Sequence, residues 1–165
     1  MEIRKTEMKD LERVMEIYAH ARTFMAEHGN PRQWGATNWP PRELICTDIQ
    51  RGNSYVCEED GKVVAVFYYE KGEDIEPCYR QIEGEWKGSS AYGVVHRVAS
   101  DGTVKGAGGH CINWAFAQCG NLRMDTHGDN KVMQNLLKKL GFSYAGITYV
   151  EEDDDPRLSY EKYEK

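Results

Sequence analysis

The densest chemistry in the sequence lies in Val98-Ala99-Ser100-Asp101-Gly102-Thr103-Val104-Lys105-Gly106-Ala107-Gly108-Gly109. Glycines there let the backbone turn tightly, so that its N–H groups can converge on an anion. A helix opening at the same place would add the positive end of its dipole, and Lys105 adds a cation. The pattern reads as a phosphate or pyrophosphate cradle, with a flexible glycine turn as the plain alternative. Two nucleotide motifs can be tested against it. A Walker loop needs Gly-Lys followed by Ser or Thr, which the sequence lacks. The dinucleotide fingerprint G-x-G-x-x-G is matched at Gly106 and Gly108, but Cys111 fills its third position. Asp125 falls about where that motif's ribose-binding acid would stand, so a nicotinamide-dependent oxidoreductase is kept as a minor reading.

Little else in the chain suggests a prosthetic group. Cys46, Cys57, Cys78, Cys111 and Cys119 form no C-x-x-C pair and are odd in number, so neither a zinc site nor a disulfide framework is expected. The five histidines add no metal-ligand spacing, and no metal is expected. Cys57 and Cys111 sit in apolar settings, where a cysteine packs as a small hydrophobe. With 21 basic against 27 acidic residues the net charge is −6, which disfavours nucleic acid as a partner and mildly favours a cationic one. No apolar run approaches the roughly 20 residues that span a bilayer. The first residues lack the apolar stretch of a signal peptide, and a cytoplasmic protein is the expectation.

The elements that must position the glycine turn follow from periodicity. Residues 2–5 read as a strand. Thr6 is a candidate helix cap with Glu7 and Asp10 in the first turn, and Leu11, Val14, Ile17, Tyr18, Ala21 and Met25 recur at helical spacing as far as Gly29. Pro41 suits the start of a second helix that Gly52 stops. Residues 54–59 and 62–69 pair around a Glu59-Asp60-Gly61 turn, 72–90 is an irregular insertion, and 94–99 is a strand leading into the glycine turn. Ile112, Ala115, Phe116 and Cys119 mark a helix, 122–126 a strand, and Val132, Met133, Leu136 and Leu140 another helix. Asp129 is its candidate cap and Gly141 its stop. Residues 144–150 and 158–163 are closing strands around an acidic turn at 151–155, expected to be a solvated hairpin tip. The order β-α-α-β-β-β-α-β-α-β-β is an α/β mixture without the strict alternation of a doubly wound fold.

Taken with that order, the turn resembles the acetyl-coenzyme A loop of the GNAT acetyltransferase superfamily, [Q/R]-x-x-G-x-[G/A], here Thr103-Val104-Lys105-Gly106-Ala107-Gly108. A later stretch, Asn130-Lys131-Val132-Met133-Gln134-Asn135-Leu136-Leu137-Lys138-Lys139-Leu140-Gly141-Phe142, resembles that superfamily's N-x-x-A-x-x-x-Y-x-x-x-G-F. The resemblance covers nearly the whole chain. It implies one domain over residues 1–165, with a mixed, mostly antiparallel central sheet, flanking helices and a splayed cleft for acetyl-coenzyme A. By the same resemblance, backbone groups of Val98, Ala99 and Ser100 would pair with pantetheine amides. Amides of Lys105, Gly106, Ala107, Gly108 and Gly109 would hold the pyrophosphate, with Asn130 joining the cofactor-binding set. A backbone N–H near Val98 or Ala99 would polarise the thioester carbonyl.

The reaction so implied is direct attack by an amine, small-molecule or peptide, in a ternary complex. It calls for a base, because most amines are protonated at neutral pH. His96 is the first candidate, matched by strand alternation to Val98, and His127 the second. Two departures from the superfamily's pattern matter. Thr103 replaces the usual Gln or Arg, and Leu137 replaces the Tyr that often serves as general acid. That role is left unassigned, with Tyr144 and Tyr149 nearby in the chain but expected to pack. Trp34, Trp39, Tyr68, Tyr69 and Trp86 are candidate acceptor-pocket linings. A non-catalytic acyl-coenzyme A-binding domain is the alternative function, and a homodimer is left open.

Overall fold

The computed structural model describes residues 1–35, 37–150 and 154–164. Its strands are β1 (Glu2–Lys5), β2 (Ser54–Glu59), β3 (Lys62–Glu73), β4 (Glu83–Gly84), β5 (Ala91–Ser100), β6 (Asn121–His127), β7 (Ser143–Tyr149) and β8 (Pro156–Tyr163). They form one sheet in the order β1-β2-β3-β5-β6-β8-β7-β4. The helices are α1 (Leu11–Glu27), α2 (Arg42–Gln50), α3 (Ala107–Cys119) and α4 (Lys131–Lys139). This is the expected mixed, mostly antiparallel α/β architecture. Among the described residues only β5 and β6 run parallel, and they pair at just Gly93↔Leu122 and Val94↔Arg123. Beyond that point the two strands part, and the sheet splits at its middle.

Each face of the sheet has its own core. On one, α1 and α2 set Val14, Ile17, Tyr18, Ile45 and Ile49 against Val56, Val66 and Ala99. On the other, α3 and α4 set Cys111, Ile112, Ala115 and Leu137 against Cys57, Phe67, Val95, Leu122 and Met124. Cys57 and Cys111 are both fully buried in that second layer. In a third cluster Tyr79, from a short 3-10 turn at Pro77–Gln81 in the 72–90 segment, packs with Tyr92 and Val94 of β5.

Several local expectations stand and others are corrected. Asp60 and Gly61 take φ of +52° and +78°, the left-handed pair that a two-residue hairpin requires. Thr6 does not cap α1: its hydroxyl is buried against the Ser54 hydroxyl at 2.8 Å. The 3-10 turn at Met8–Asp10 leads into the helix instead, with the Asp10 carboxylate accepting the Glu7 N–H at 2.8 Å. Asn130, not Asp129, caps α4 by accepting the Met133 N–H at 3.0 Å. Of the acidic turn, 151–153 lie outside the described residues, while Asp155 bonds to Arg32 and His127.

The correction that matters most is in β5. Val66 faces Ala99 and Tyr68 faces His96, so Arg97 and Val98 together oppose Phe67. This is a β-bulge, and Arg97 takes φ +52°, uncommon for a residue with a Cβ. The extra residue breaks the alternation. His96 sides with Ala99 toward α1 and α2, while Val98 sides with Val95 toward α3. The expectation that His96 and Val98 share a face is therefore overturned.

Candidate active site

The chain leaves β5, turns through 101–106 and enters α3 against the split in the sheet. Gly106 caps α3 with φ +82°, and Gly102 turns at φ +77°. Both are conformations that glycine adopts without penalty. The start of α3 leaves its first N–H groups without helical acceptors, facing a cavity of about 550 Å³. Val98, Ala99, Ser100, Lys105, Gly106, Ala107, Gly108, Gly109 and Asn130 all line that cavity, opposite Phe24 and Met25 of α1 and Met133 of α4.

The cavity suits an anionic ligand on three observations. Its lining carries Lys105 and His20 but no carboxylate, although the protein's net charge is −6. A Cβ at Gly108 would meet nothing within 4 Å, so the space before the helix terminus is open. Its size lies within the range of small-molecule sites. Thr103 does not contribute: its N–H and hydroxyl bond to the Asp101 carboxylate at 3.0 and 2.6 Å. Arg13 holds the other Asp101 oxygen, which pins the turn from α1.

A second, narrower space of about 60 Å³ adjoins the first through Met25, Val98, Asn130 and Met133. It occupies the split itself, between 95–98 of β5 and 124–126 of β6. His96 stands on its wall with Nε2 2.9 Å from Glu76 Oε2. Burial pushes the Glu76 carboxyl up, but His96, together with hydrogen bonds from the side chain and backbone of Cys78, outweighs it and holds the group below its ordinary value. Asp125 lines the same space and accepts the Tyr79 hydroxyl at 2.7 Å. The Thr126 hydroxyl, on a residue 1% exposed, has no partner among the described residues. A buried polar atom left so is unfavourable.

His127 is placed elsewhere. Its Nδ1 accepts the Asp129 N–H at 2.9 Å and its Nε2 faces Asp155 at 2.8 Å. It is 5% exposed and lines neither space. With both ring nitrogens engaged it anchors the turn after β6, and the structure does not bring it to the cleft as a base. Leu137 is fully buried in the core beneath α4. Tyr144 and Tyr149 are exposed and line neither space. Of the expected aromatic linings only Trp34 reaches the split. Sequence reasoning missed Glu76, which lies in the irregular insertion, and gave Asp125 only a ribose-binding role. No three His, Cys, Asp or Glu side chains among the described residues gather as metal ligands, and no helix among them is long and apolar enough to cross a membrane.

Sheet order, a parallel pair that splays after two registers, and a glycine cradle at the helix that follows define an α/β fold with an open central cleft. Known structures agree. A GNAT-family acetyltransferase from Streptococcus agalactiae shares 29% identity and a TM-score of 0.83, covering 99% of this chain and 95% of its own. A ribosomal-protein-alanine N-acetyltransferase from Brucella melitensis matches at 18% identity and TM-score 0.65, over 99% and 100% of the two chains. A GNAT-family acetyltransferase from Listeria monocytogenes matches at 14% and 0.69, over 98% and 93%. The last two bear on the fold alone. No family model and no curated protein matches the sequence. The chain carries the GNAT acetyltransferase fold from its first strand to its last.

Proposed function

We propose that this protein is an N-acetyltransferase that carries an acetyl group from acetyl-coenzyme A to a small-molecule or peptide amine within a ternary complex. The observation that carries the reading is the meeting of the glycine cradle with the split between β5 and β6 in one cleft. Acetyl-coenzyme A supplies the acetyl group already activated as a thioester. The backbone of 98–100 runs along the cleft and offers its amide groups to an extended arm, as an added strand would. N–H groups of 105–109 and the Lys105 ammonium hold the pyrophosphate, and the absent side chain at Gly108 allows it close. An N–H at the bulge, near Val98, is the donor for charge developing on the carbonyl oxygen.

His96 takes the proton of the incoming amine. When its Nε2–H is donated to Glu76, the lone pair of the neutral ring lies on Nδ1, and the carboxylate fixes that tautomer. Asp125 places negative charge in the split, which favours the arrival of a cationic amine. Position 137, a buried leucine, supplies no proton, and the amine chemistry runs without a side-chain acid there.

Binding is tested by calorimetry and thermal melting with acetyl-coenzyme A. Ligand at a hundredfold excess over its Kd stabilises a protein by about 2.7 kcal/mol, so a clear rise in Tm is expected. No heat and no rise at about millimolar ligand, which still corresponds to a Kd weaker than about 1 mM, would overturn the reading.

A further inference from the structure

The bulge in β5 is held by contacts from both helices of the α1–α2 layer. Tyr18 of α1, 1% exposed, donates its hydroxyl to the Arg97 carbonyl oxygen at 2.8 Å. Asp48 of α2, 5% exposed, accepts from Arg97 Nε and Nη2, each at 3.1 Å. The Arg97 guanidinium also lies 4.6 Å from the Tyr68 ring centroid. A non-glycine residue in the left-handed region persists only where its surroundings over-determine it, and here three side chains do so at Arg97. An ordinary strand carbonyl lies in the plane of the sheet and bonds to a neighbouring strand. That of Arg97 instead turns out of the sheet toward α1. The Arg97–Val98 peptide is planar and trans, so the Val98 N–H at its other end is directed away from α1. Val98 lines both the wide cavity and the split.

We infer that Tyr18 and Asp48 are positioning residues for acetyl transfer. The Tyr18 hydroxyl and the Asp48–Arg97 ion pair clamp the bulge in its left-handed conformation, and so aim the Val98 N–H at the acyl oxygen. This rests on the acetyltransferase reading. Neither side chain lines the wide cavity or the split, so neither is placed to touch substrate; both act through the backbone of Arg97. The effect belongs in turnover, because a donor swung aside weakens the transition state more than the bound ground state.

The test is Tyr18→Phe, which keeps the packed ring and removes one hydroxyl, with Asp48→Asn as the second variant. Two readouts are taken well below each variant's Tm: steady-state acetyl transfer, and nuclear magnetic resonance measurement of the sign of φ at Arg97 in the ligand-free protein. The expected result is a fall in kcat of about tenfold or more, KM for acetyl-coenzyme A within about twofold, and loss of the uniform positive φ. Adding Arg97→Gly to the Asp48→Asn variant should restore part of kcat, since glycine adopts the bulge conformation unaided. Wild-type kcat in both single variants would overturn the inference, as would an unchanged left-handed Arg97 in both. If the wild type itself transfers no acetyl group, the acetyltransferase reading fails, and the inference with it. The φ measurement would then still show whether the clamp holds the bulge.

Discussion

At the scale of single residues, the site divides into positions where backbone matters and positions where a proton does. Gly108 belongs to the first kind. It sits within α3 without a left-handed φ, and a Cβ there meets open space. Gly108→Val should therefore fold with nearly unchanged Tm and lose affinity for acetyl-coenzyme A by about tenfold or more, as a side chain occupies the approach to the helix N–H groups. Calorimetry beside thermal melting checks both halves. Normal affinity would show that the anion does not rest there. His96 belongs to the second kind. His96→Ala should lower turnover by roughly 10²-fold and remove the acid limb of the rate profile. Cofactor affinity should barely move. An unchanged profile with near-normal turnover would remove His96 from the chemistry while leaving the cleft intact. For His127, bonded on both sides and buried, the cost of His127→Ala should appear in stability, about 1–3 kcal/mol for partners left unsatisfied, rather than in kcat.

Elements show why some of this could be read from the chain and some not. Signals confined to a few neighbouring residues translated directly: the Asp60-Gly61 turn, the glycine run before α3 and the apolar stripes of α1 and α4. Failures came where distant partners decide. Thr6 has a cap-forming side chain, but its hydroxyl meets Ser54 of β2, and Asp10 takes over the local N–H. The β5 bulge left no trace in a period-two reading, because one inserted residue reverses every face after it. Arginine is no signal for a left-handed φ either; Arg97 holds one through Tyr18 and Asp48, which lie far away in sequence. Glu76 was equally hidden, delivered to His96 by a segment with no periodicity. Asp10 offers a test at this scale. It accepts both Arg4 Nη1 and Nη2, at 2.8 and 3.0 Å, and these bonds hold its carboxyl below its ordinary value despite partial burial. A depressed folded value means stability that is complete above the unfolded carboxyl range, about 4, and lost as pH falls through the folded value. Asp10→Asn should cost about 1–3 kcal/mol near neutral pH and flatten that acid-side decline. Denaturant unfolding across pH 2–7 measures both; an identical slope in the two proteins would exclude the ion pair as its source.

The whole molecule is two helical layers on a sheet that opens at its middle, and the opening is what the architecture provides for function. The α1–α2 layer braces the bulge and, through Arg13, the turn at Asp101. The α3–α4 layer contributes the cradle and the Asn130 cap, whose side chain also donates to Gln33 at 3.2 Å. Each layer has its own core, so the cleft lies where two separately packed halves meet, and a ligand there bridges both. Amine-dependent release of free coenzyme A thiol, with mass spectrometry of the acceptor, tests the central claim most directly. The account predicts thiol release that requires a primary amine, saturates with acetyl-coenzyme A, and leaves the acceptor about 42 Da heavier, the mass of an acetyl group replacing a proton. Tight binding of acetyl-coenzyme A with no thiol release across a panel of small and peptide amines would contradict it, and would make the cleft a binding site without transfer.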